Sequence, residues 1–252
     1  MKNNYTLLIT LLIGVLSVVS TDSSFSVDPS TLDNKILIGY QGWFNTPSDG
    51  ADVGWRHWSH STSHGPTSND AVFDLWPAME EYVEKEDDPT LVYQHNNPVQ
   101  FFSSYRKSTT QVHFRWLQQY SLDGVFLQRF LNEVESDPAF FKERNQVLLQ
   151  VADNAQRFGR TFAVMYDLSG AKSESLVSDF QSDWWYLTHQ LDITNRTNYQ
   201  FHNGKPVVAV WGLGFTGHPG NYSQSYNIIN WLQLNGFFVM GGTPFNWRDS
   251  SG

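Results

Sequence analysis

RTFAVMYDLSG, residues 160–170, is the stretch that decides how the rest of the sequence is interpreted. It is apolar from Phe162 to Met165 and then turns polar at Tyr166 and Asp167. A continuous apolar run bounded by turn residues is typical of a strand that is buried on both faces of a parallel sheet. Because α/β folds keep functional residues at the carboxyl ends of such strands, we expect Asp167 to lie near the centre of a pocket.

The same order of helix, apolar strand and polar strand tip recurs along the chain. Strands that alternate with helices predict βαβ units and a mostly parallel sheet. We count six strand units, with apolar centres at residues 36–38, 91–93, 125–127, 162–165, 206–210 and 237–240. The predicted fold class is therefore α/β, of the (β/α)₈ TIM-barrel type. A closed barrel needs eight units, so we expect the barrel to be incomplete and its C-terminal part to be missing.

The N-terminus predicts a secreted protein. Lys2 precedes an apolar run at residues 7–19, and small side chains at Val18 and Ser20 suit a cleavage site. The run is shorter than the roughly 20 residues of a membrane helix. We therefore predict a secretory signal peptide at residues 1–20, a barrel domain at residues 21–252, and no membrane attachment after cleavage.

Composition narrows the classes of partner. The formal net charge of −9 argues against nucleic acids and anionic membranes, because both need patches of Lys and Arg. The chain has no cysteine, so a cysteine nucleophile and a cysteine zinc cluster are excluded. Aromatic residues reach 15%, and many stand beside Gly, Asn, Gln, His or Asp, which suits a groove that stacks sugar rings and bonds their hydroxyls. Sequons at Asn195 and Asn221 are compatible with N-glycans.

Two helix starts and one long connection can be predicted. Ser108 can cap a helix, and Asp137-Pro138 offers a cap followed by proline at the first helical position. Residues 45–88 form a polar stretch that is too long for a plain connection, so we expect a functional loop over the pocket.

Asp167 is the candidate catalytic residue. In that role it would act as acid, base or anchor for a sugar hydroxyl at the strand tip. The alternative is an Asp that caps the turn after the strand, which is common.

The loop residues Trp55, His57 and Trp58 suit a sugar platform, with two indoles for stacking and a histidine for a hydroxyl. The alternative is a loop that is anchored because its tryptophans are buried. His57, His60 and His64 could suggest a metal, but their spacing fits no zinc pattern, so we predict no metal and no cofactor.

Other polar residues follow the third predicted strand. Gln128 and Arg129 can bond substrate hydroxyls, or Arg129 can pair with Asp167. Glu133 and Glu135 are weaker acid/base candidates, because a solvated acidic face also explains them.

A family resemblance rests on several short runs in order. They are Tyr40-Gln41-Gly42-Trp43-Phe44, Arg56-His57-Trp58, Phe102-Ser103-Ser104-Tyr105, Asp123-Gly124-Val125 and Val164-Met165-Tyr166-Asp167. With these runs the chain resembles secreted xylosidase/arabinosidase-like proteins, which are similar to the endo-α-mannosidases of glycoside hydrolase family 99. The resemblance implies a (β/α)₈ barrel, a carbohydrate substrate and retaining hydrolysis without a required metal.

The resemblance also bears on the catalytic residues. It places Asp167 where the endomannosidases carry a Glu at a strand tip. Their catalytic Asn-Glu-Trp-His-Glu run has no counterpart in these 252 residues.

The sequence therefore predicts a secreted glycoside hydrolase-like protein that acts on a polysaccharide or glycan. The alternative is a non-catalytic carbohydrate-binding protein. The predicted sugar site is lined by Tyr40, Gln41, Trp43, Trp55, His57, Trp58, Gln128, Arg129, Tyr166 and Trp211.

Overall fold

The computed structural model describes residues 26–92, 98–215 and 217–248. Its strands are β1 (Leu37–Tyr40), β2 (Glu86–Val92), β3 (Pro98–Phe101), β4 (Gly124–Phe130), β5 (Thr161–Asp167), β6 (Phe201–His202), β7 (Lys205–Trp211) and β8 (Phe238–Gly242). Its α-helices are α1 (Lys107–Gln119), α2 (Leu131–Ser136), α3 (Pro138–Arg157), α4 (Leu176–His189) and α5 (Tyr222–Leu234). The predicted α/β class is confirmed. The predicted signal peptide lies outside the described residues and stays a prediction.

The main sheet is parallel and follows the order of the chain. β1 pairs with β4, β4 with β5, β5 with β7, and β7 with β8, each pair parallel. The short strand β6 adds an antiparallel hairpin at the start of β7. A doubly wound sheet reverses its strand order at a switch point, whereas a barrel adds strands in one direction. The observed strands are added in one direction, as in a barrel, but among the described residues β1 and β8 are not paired and the sheet stays open.

The prediction that residues 91–93 form a strand of the parallel sheet is wrong. Leu91 and Val92 belong to β2, which pairs antiparallel with β3 in a separate two-stranded sheet. The remaining predicted residue of that strand, Tyr93, lies outside the described residues. The described parallel sheet therefore has five strands in place of the six predicted units.

The two faces of the sheet have different surroundings. Side chains of a strand alternate between faces, so residues of like parity in register lie on the same face. Tyr166 of β5 packs against Phe180 and Trp184 of α4, which marks its face as the helix side. The next residue, Asp167, therefore lies on the opposite face of the sheet, which is called here the inner face.

The hydrophobic core lies between the helix side of the sheet and α1, α3, α4 and α5. It is rich in fully buried Val, Leu and Phe side chains, including Val164, Leu148 and Phe180. The apolar stripe predicted for α3 is confirmed, since Val147, Leu148, Val151, Ala152 and Ala155 are all buried. None of the helices in the described ranges is long and apolar enough to cross a membrane.

The helix starts agree with prediction in one case. Asp137 caps α3 by accepting a hydrogen bond from the Ala139 N–H at 2.8 Å, and Pro138 is the first helical residue. Such a cap is worth about 1 kcal/mol. Ser108 does not cap α1, because the helix begins one residue earlier and Arg106 holds the cap position.

Candidate functional site

The inner face at the carboxyl ends of the strands carries the candidate site. In the register of the sheet, Asp167 stands between Phe130 of β4 and Trp211 of β7. Asp167 is 5% exposed, whereas Trp211 is 39% exposed. A buried carboxylate beside an exposed indole is thus brought to the predicted edge of the sheet. A carboxylate and an indole are groups that can bond a sugar hydroxyl and stack on a sugar ring.

Asp167 also takes part in the turn that follows β5. Its Oδ1 accepts a hydrogen bond from the Ser169 N–H at 2.9 Å. This is the turn-capping role that the sequence left open, and it engages one of the two carboxylate oxygens. Arg129, the predicted alternative partner of Asp167, pairs with a different carboxylate.

Trp43 and His57 lie against the tip of β4. The Trp43 ring is stacked on Phe130 and on His57, with ring centroids 4.9 Å apart in both pairs. His57 has a φ of 58°, a left-handed conformation that few residues other than glycine adopt. Of the three loop residues predicted as a sugar platform, only His57 remains half-exposed beside the strand tips.

Glu133 is the second carboxylate at this edge. It lies in α2, three residues after Phe130, with its Oε1 3.8 Å from His57 Nε2. Arg144 Nε donates a hydrogen bond to its Oε2 at 2.8 Å. Burial alone raises the pKa of Glu133, but the interactions with His57 and Arg144 outweigh it and lower the pKa to about 2. Glu133 is therefore ionised at neutral pH.

A further buried carboxylate, that of Glu143, shares Arg144 with Glu133. Glu143 of α3 pairs with Arg144 and accepts a hydrogen bond from Asn45 Nδ2 at 3.2 Å. Its burial raises its pKa to about 7, against the lowering effect of Arg144 and Asn45. One arginine thus pairs with two carboxylates, of which Glu133 has the lower pKa. Asn45 also bonds Asp49, so this network fixes the start of the long loop on α3.

Arg129 and Tyr166 lie on the helix side, away from the predicted sugar site. Arg129 donates hydrogen bonds to both carboxylate oxygens of Asp183 on α4, each at 2.6 Å. The Tyr166 hydroxyl donates to the same carboxylate. All three side chains are buried. This placement differs from the predicted one because neighbours along a strand point to opposite faces.

Tyr40 points to the helix side as well. Its hydroxyl is hydrogen-bonded to His113 Nδ1 of α1 at 2.8 Å, and the Tyr82 hydroxyl is bonded to Nε2 of the same ring. Burial lowers the pKa of His113 to about 4, so this imidazole is neutral at pH 7. Tyr40 is buried, whereas its neighbour Gln41 is exposed. The prediction that Tyr40 lines the sugar site is therefore not matched by its position.

Trp55 and Trp58 are buried in an aromatic cluster of the loop. They pack with Val99 and Phe101 of β3, and the Trp58 Nε1–H donates to the Phe102 carbonyl at 3.0 Å. This is the alternative that the sequence left open, a loop held in place by burying its tryptophans. The stretch over residues 45–88 is thus packed on its own small core.

The remaining predicted residues keep positions on the inner face or near it. Gln128 has the same parity as Phe130 and is half-buried, on the face that also carries Asp167. The residues that the structure brings together at this edge are Trp43, His57, Gln128, Asp167 and Trp211, with Phe130 and Glu133 added. Phe130 was not predicted, although its register with Asp167 follows from counting along two apolar strands.

No metal centre is formed by the described residues. Within them, no group of three or more His, Asp and Glu side chains is arranged to hold a metal ion. His57 faces Glu133, while His64 Nδ1 lies 3.7 Å from Asp70.

Among the solved structures that resemble the chain, two are of a GH99 endo-α-mannosidase from Bacteroides thetaiotaomicron. One has a TM-score of 0.51 and 12% sequence identity, covering 84% of this chain and 56% of that chain. The other, in complex with bis-tris-propane, has a TM-score of 0.47 and 15% identity, covering 74% and 42%. No family model and no curated protein matches the chain.

The chain thus spans about half the length of the solved structures that it matches. The likeness supports the predicted relation to the GH99 fold over the shared part. At this level of identity it is a statement about the fold. The relation to xylosidase/arabinosidase-like proteins stays a prediction.

Proposed function

We propose that the protein is a secreted glycoside hydrolase-like protein that binds a polysaccharide or glycan at the carboxyl ends of its parallel strands and cleaves it there. The observation that carries this proposal is the pairing, in register, of the buried Asp167 carboxylate with the half-exposed Trp211 ring on the inner face. The fold shared with an endo-α-mannosidase supports the same proposal. Export is inferred from residues 1–20 alone.

Hydrolysis of a glycosidic bond normally uses two carboxyl groups in different roles. Asp167 takes the role of acid or hydroxyl anchor, since it is nearly enclosed and its Oδ1 is oriented by the Ser169 N–H. Glu133 takes the role of the charged partner, because its pKa of about 2 keeps it ionised. Trp211 provides the exposed stacking surface, Trp43 holds His57 and Phe130 in place by stacking on both, and Gln128 bonds a hydroxyl.

The test is the variant Asp167→Asn. The side-chain carbonyl of the introduced asparagine would still accept the Ser169 N–H, so the turn is retained while the acid is lost. The assay measures new reducing ends on xylan, arabinan and α-mannan. We expect at least a hundredfold loss of turnover, which is about the size of effect that a general acid provides.

The matched control is Asp153→Asn, at an exposed position on α3. It makes the same chemical change far from the strand tips and is expected to retain full turnover. Unchanged turnover in Asp167→Asn would remove Asp167 from the mechanism.

A second candidate function is favoured by the bonds that both carboxylates already make. Asp167 serves a turn, and Glu133 is held by Arg144 and His57. A protein that only binds carbohydrate needs no free acid and base. In that case wild-type protein would bind xylan or mannan in affinity electrophoresis without releasing reducing ends. Trp211→Ala would weaken this binding, and Asp167→Asn, like wild type, would show no hydrolysis.

A further inference from the structure

An aromatic cavity lies at the amino ends of the strands, opposite the candidate site. It has a volume of about 460 Å³, and its lining includes Trp184, Trp185, His189, Thr194, Trp231 and Phe237. These residues come from α4 and α5 and from the segments that follow them. Because each helix runs back from the carboxyl end of one strand to the amino end of the next, the cavity lies opposite the edge that carries Asp167.

The lining offers flat aromatic surfaces. Trp185 is 50% exposed, although its indole is stacked on His189 with ring centroids 4.9 Å apart and planes 10° apart. Trp231 and Phe237 are half-buried at the same cavity. An exposed indole that is held rigid by a stacked neighbour is a preorganised surface for a ring that presents C–H groups.

The lining also offers a hydrogen-bonding group that is not used. His189 is engaged through Nδ1, by Thr188 and by the Trp185 carbonyl, so among the described residues Nε2 carries no bond.

The charge of the lining selects the class of ligand. It contains no Lys, Arg, Asp or Glu among the described residues, so neither an anion nor a cation finds a partner there. Aromatic faces together with neutral donors and acceptors match a neutral ring that carries hydroxyls.

From these observations we propose that the cavity between the C-terminal ends of α4 and α5 is a saccharide-binding site, separate from the strand-tip site, in which Trp185 stacks on a pyranose ring and His189 Nε2 bonds a ring hydroxyl. The site does not depend on the proposed hydrolysis, because it shares no residue with the strand tips. It would hold one end of a chain away from the edge where Asp167 lies.

The experiment uses protein made in a host that does not attach N-glycans, so that no glycan on the neighbouring Asn195 enters the cavity. The probes are mannotetraose, xylotetraose, cellotetraose and chitotetraose, measured by saturation-transfer NMR and titration calorimetry. The double variant Trp185→Ala/Trp211→Ala is compared with the single variant Trp211→Ala, in which the strand-tip site is weakened. Tyr120→Ala, which removes an exposed aromatic ring at the end of α1, is the matched control.

We expect the Trp211→Ala protein to bind at least one of the four oligosaccharides, and Trp185→Ala to lower that affinity at least tenfold. Tyr120→Ala should leave it unchanged, and thermal melting should show that all variants fold. Equal affinity with and without Trp185 would overturn the proposal, as would the absence of binding to the Trp211→Ala protein. If wild type binds and Trp211→Ala alone abolishes the binding, the strand-tip site stands and this second site does not.

Discussion

Replacement of Asp183 by Ala should destabilise the protein severely. Asp183 accepts both hydrogen bonds of the Arg129 guanidinium and the hydroxyl of Tyr166, and all three side chains are buried. Burial disfavours the charge on Arg129, but the Asp183 carboxylate outweighs burial and raises the pKa of the guanidinium. Without Asp183 this charge stays buried and unpaired. Breaking a buried pair in this way costs about 3–5 kcal/mol, a large share of the roughly 5–15 kcal/mol that holds a domain folded.

The assay is urea unfolding followed by far-UV circular dichroism. Ser182→Ala, at an exposed position on the same helix, is the control and should lie within about 0.5 kcal/mol of wild type. The double variant Arg129→Met/Asp183→Leu removes both charges and should recover most of the loss, because apolar residues of similar volume often replace a buried pair at little cost. A loss below about 1 kcal/mol in Asp183→Ala, or a double variant as unstable as the single one, would refute the reasoning.

Two further predictions concern the pH response and the sheet. Burial and a hydrogen bond to Asp179 raise the pKa of Glu135 to about 7. Protonated Glu135 therefore stabilises the folded state fully below about pH 4.5, and this stabilisation is lost as the pH rises through about 7. Glu135→Gln should therefore melt at a higher temperature than wild type at pH 8 and at the same temperature at pH 4, and equal melting at pH 8 would contradict this. Gly124→Ala should cost about 1–3 kcal/mol in urea unfolding, because the new Cβ would lie 2.3 Å from the Thr161 carbonyl oxygen of the paired strand. Gly39→Ala, where nothing lies within 4 Å, is its control, and equal losses in the two variants would show that close strand approach is not the cause.

The parallel strands were predictable because their apolar runs are long and bounded. Five of the six runs, at β1, β4, β5, β7 and β8, lie in the parallel sheet as predicted. The failure at Leu91 and Val92 has a physical reason. A short apolar run is compatible with a buried parallel strand and with a hairpin strand. Periodicity does not show which strand it pairs with, so the pairing of β2 with β3 could not be predicted.

The predicted site residues separate by strand parity. Gln128 and Arg129 are neighbours along β4, and Tyr166 and Asp167 are neighbours along β5, so only one of each pair can face the inner side. This restriction could have been applied to the sequence, and it would have limited the predicted sugar site to one residue of each pair. The choice of face still needs the helix contacts, since both neighbours carry polar groups.

The charged partners could not be predicted from one sequence. Asp183 and Arg144 lie on helices, where single charges usually indicate solvent-exposed positions. The partner of Asp183 is distant, since Arg129 and Asp183 are 54 positions apart. Glu143, which pairs with Arg144, also bonds Asn45, which is 98 positions away. Only the packing of α3 and α4 on the sheet brings them together.

The division of β5 between two faces also explains how a buried charge network can serve the candidate site without touching it. Tyr166 fixes the end of the strand from the helix side through its bond to Asp183. Asp167 is the next residue, so the backbone that carries its carboxylate is held by the same bond. From the inner face, the Ser169 N–H orients the carboxylate itself. A catalytic or binding group must be held within a fraction of an ångström by neighbours that are themselves locked. The bond that makes the end of β5 rigid is therefore made by Tyr166 on the helix side. The carboxylate of the candidate site belongs to the next residue, Asp167, on the inner face.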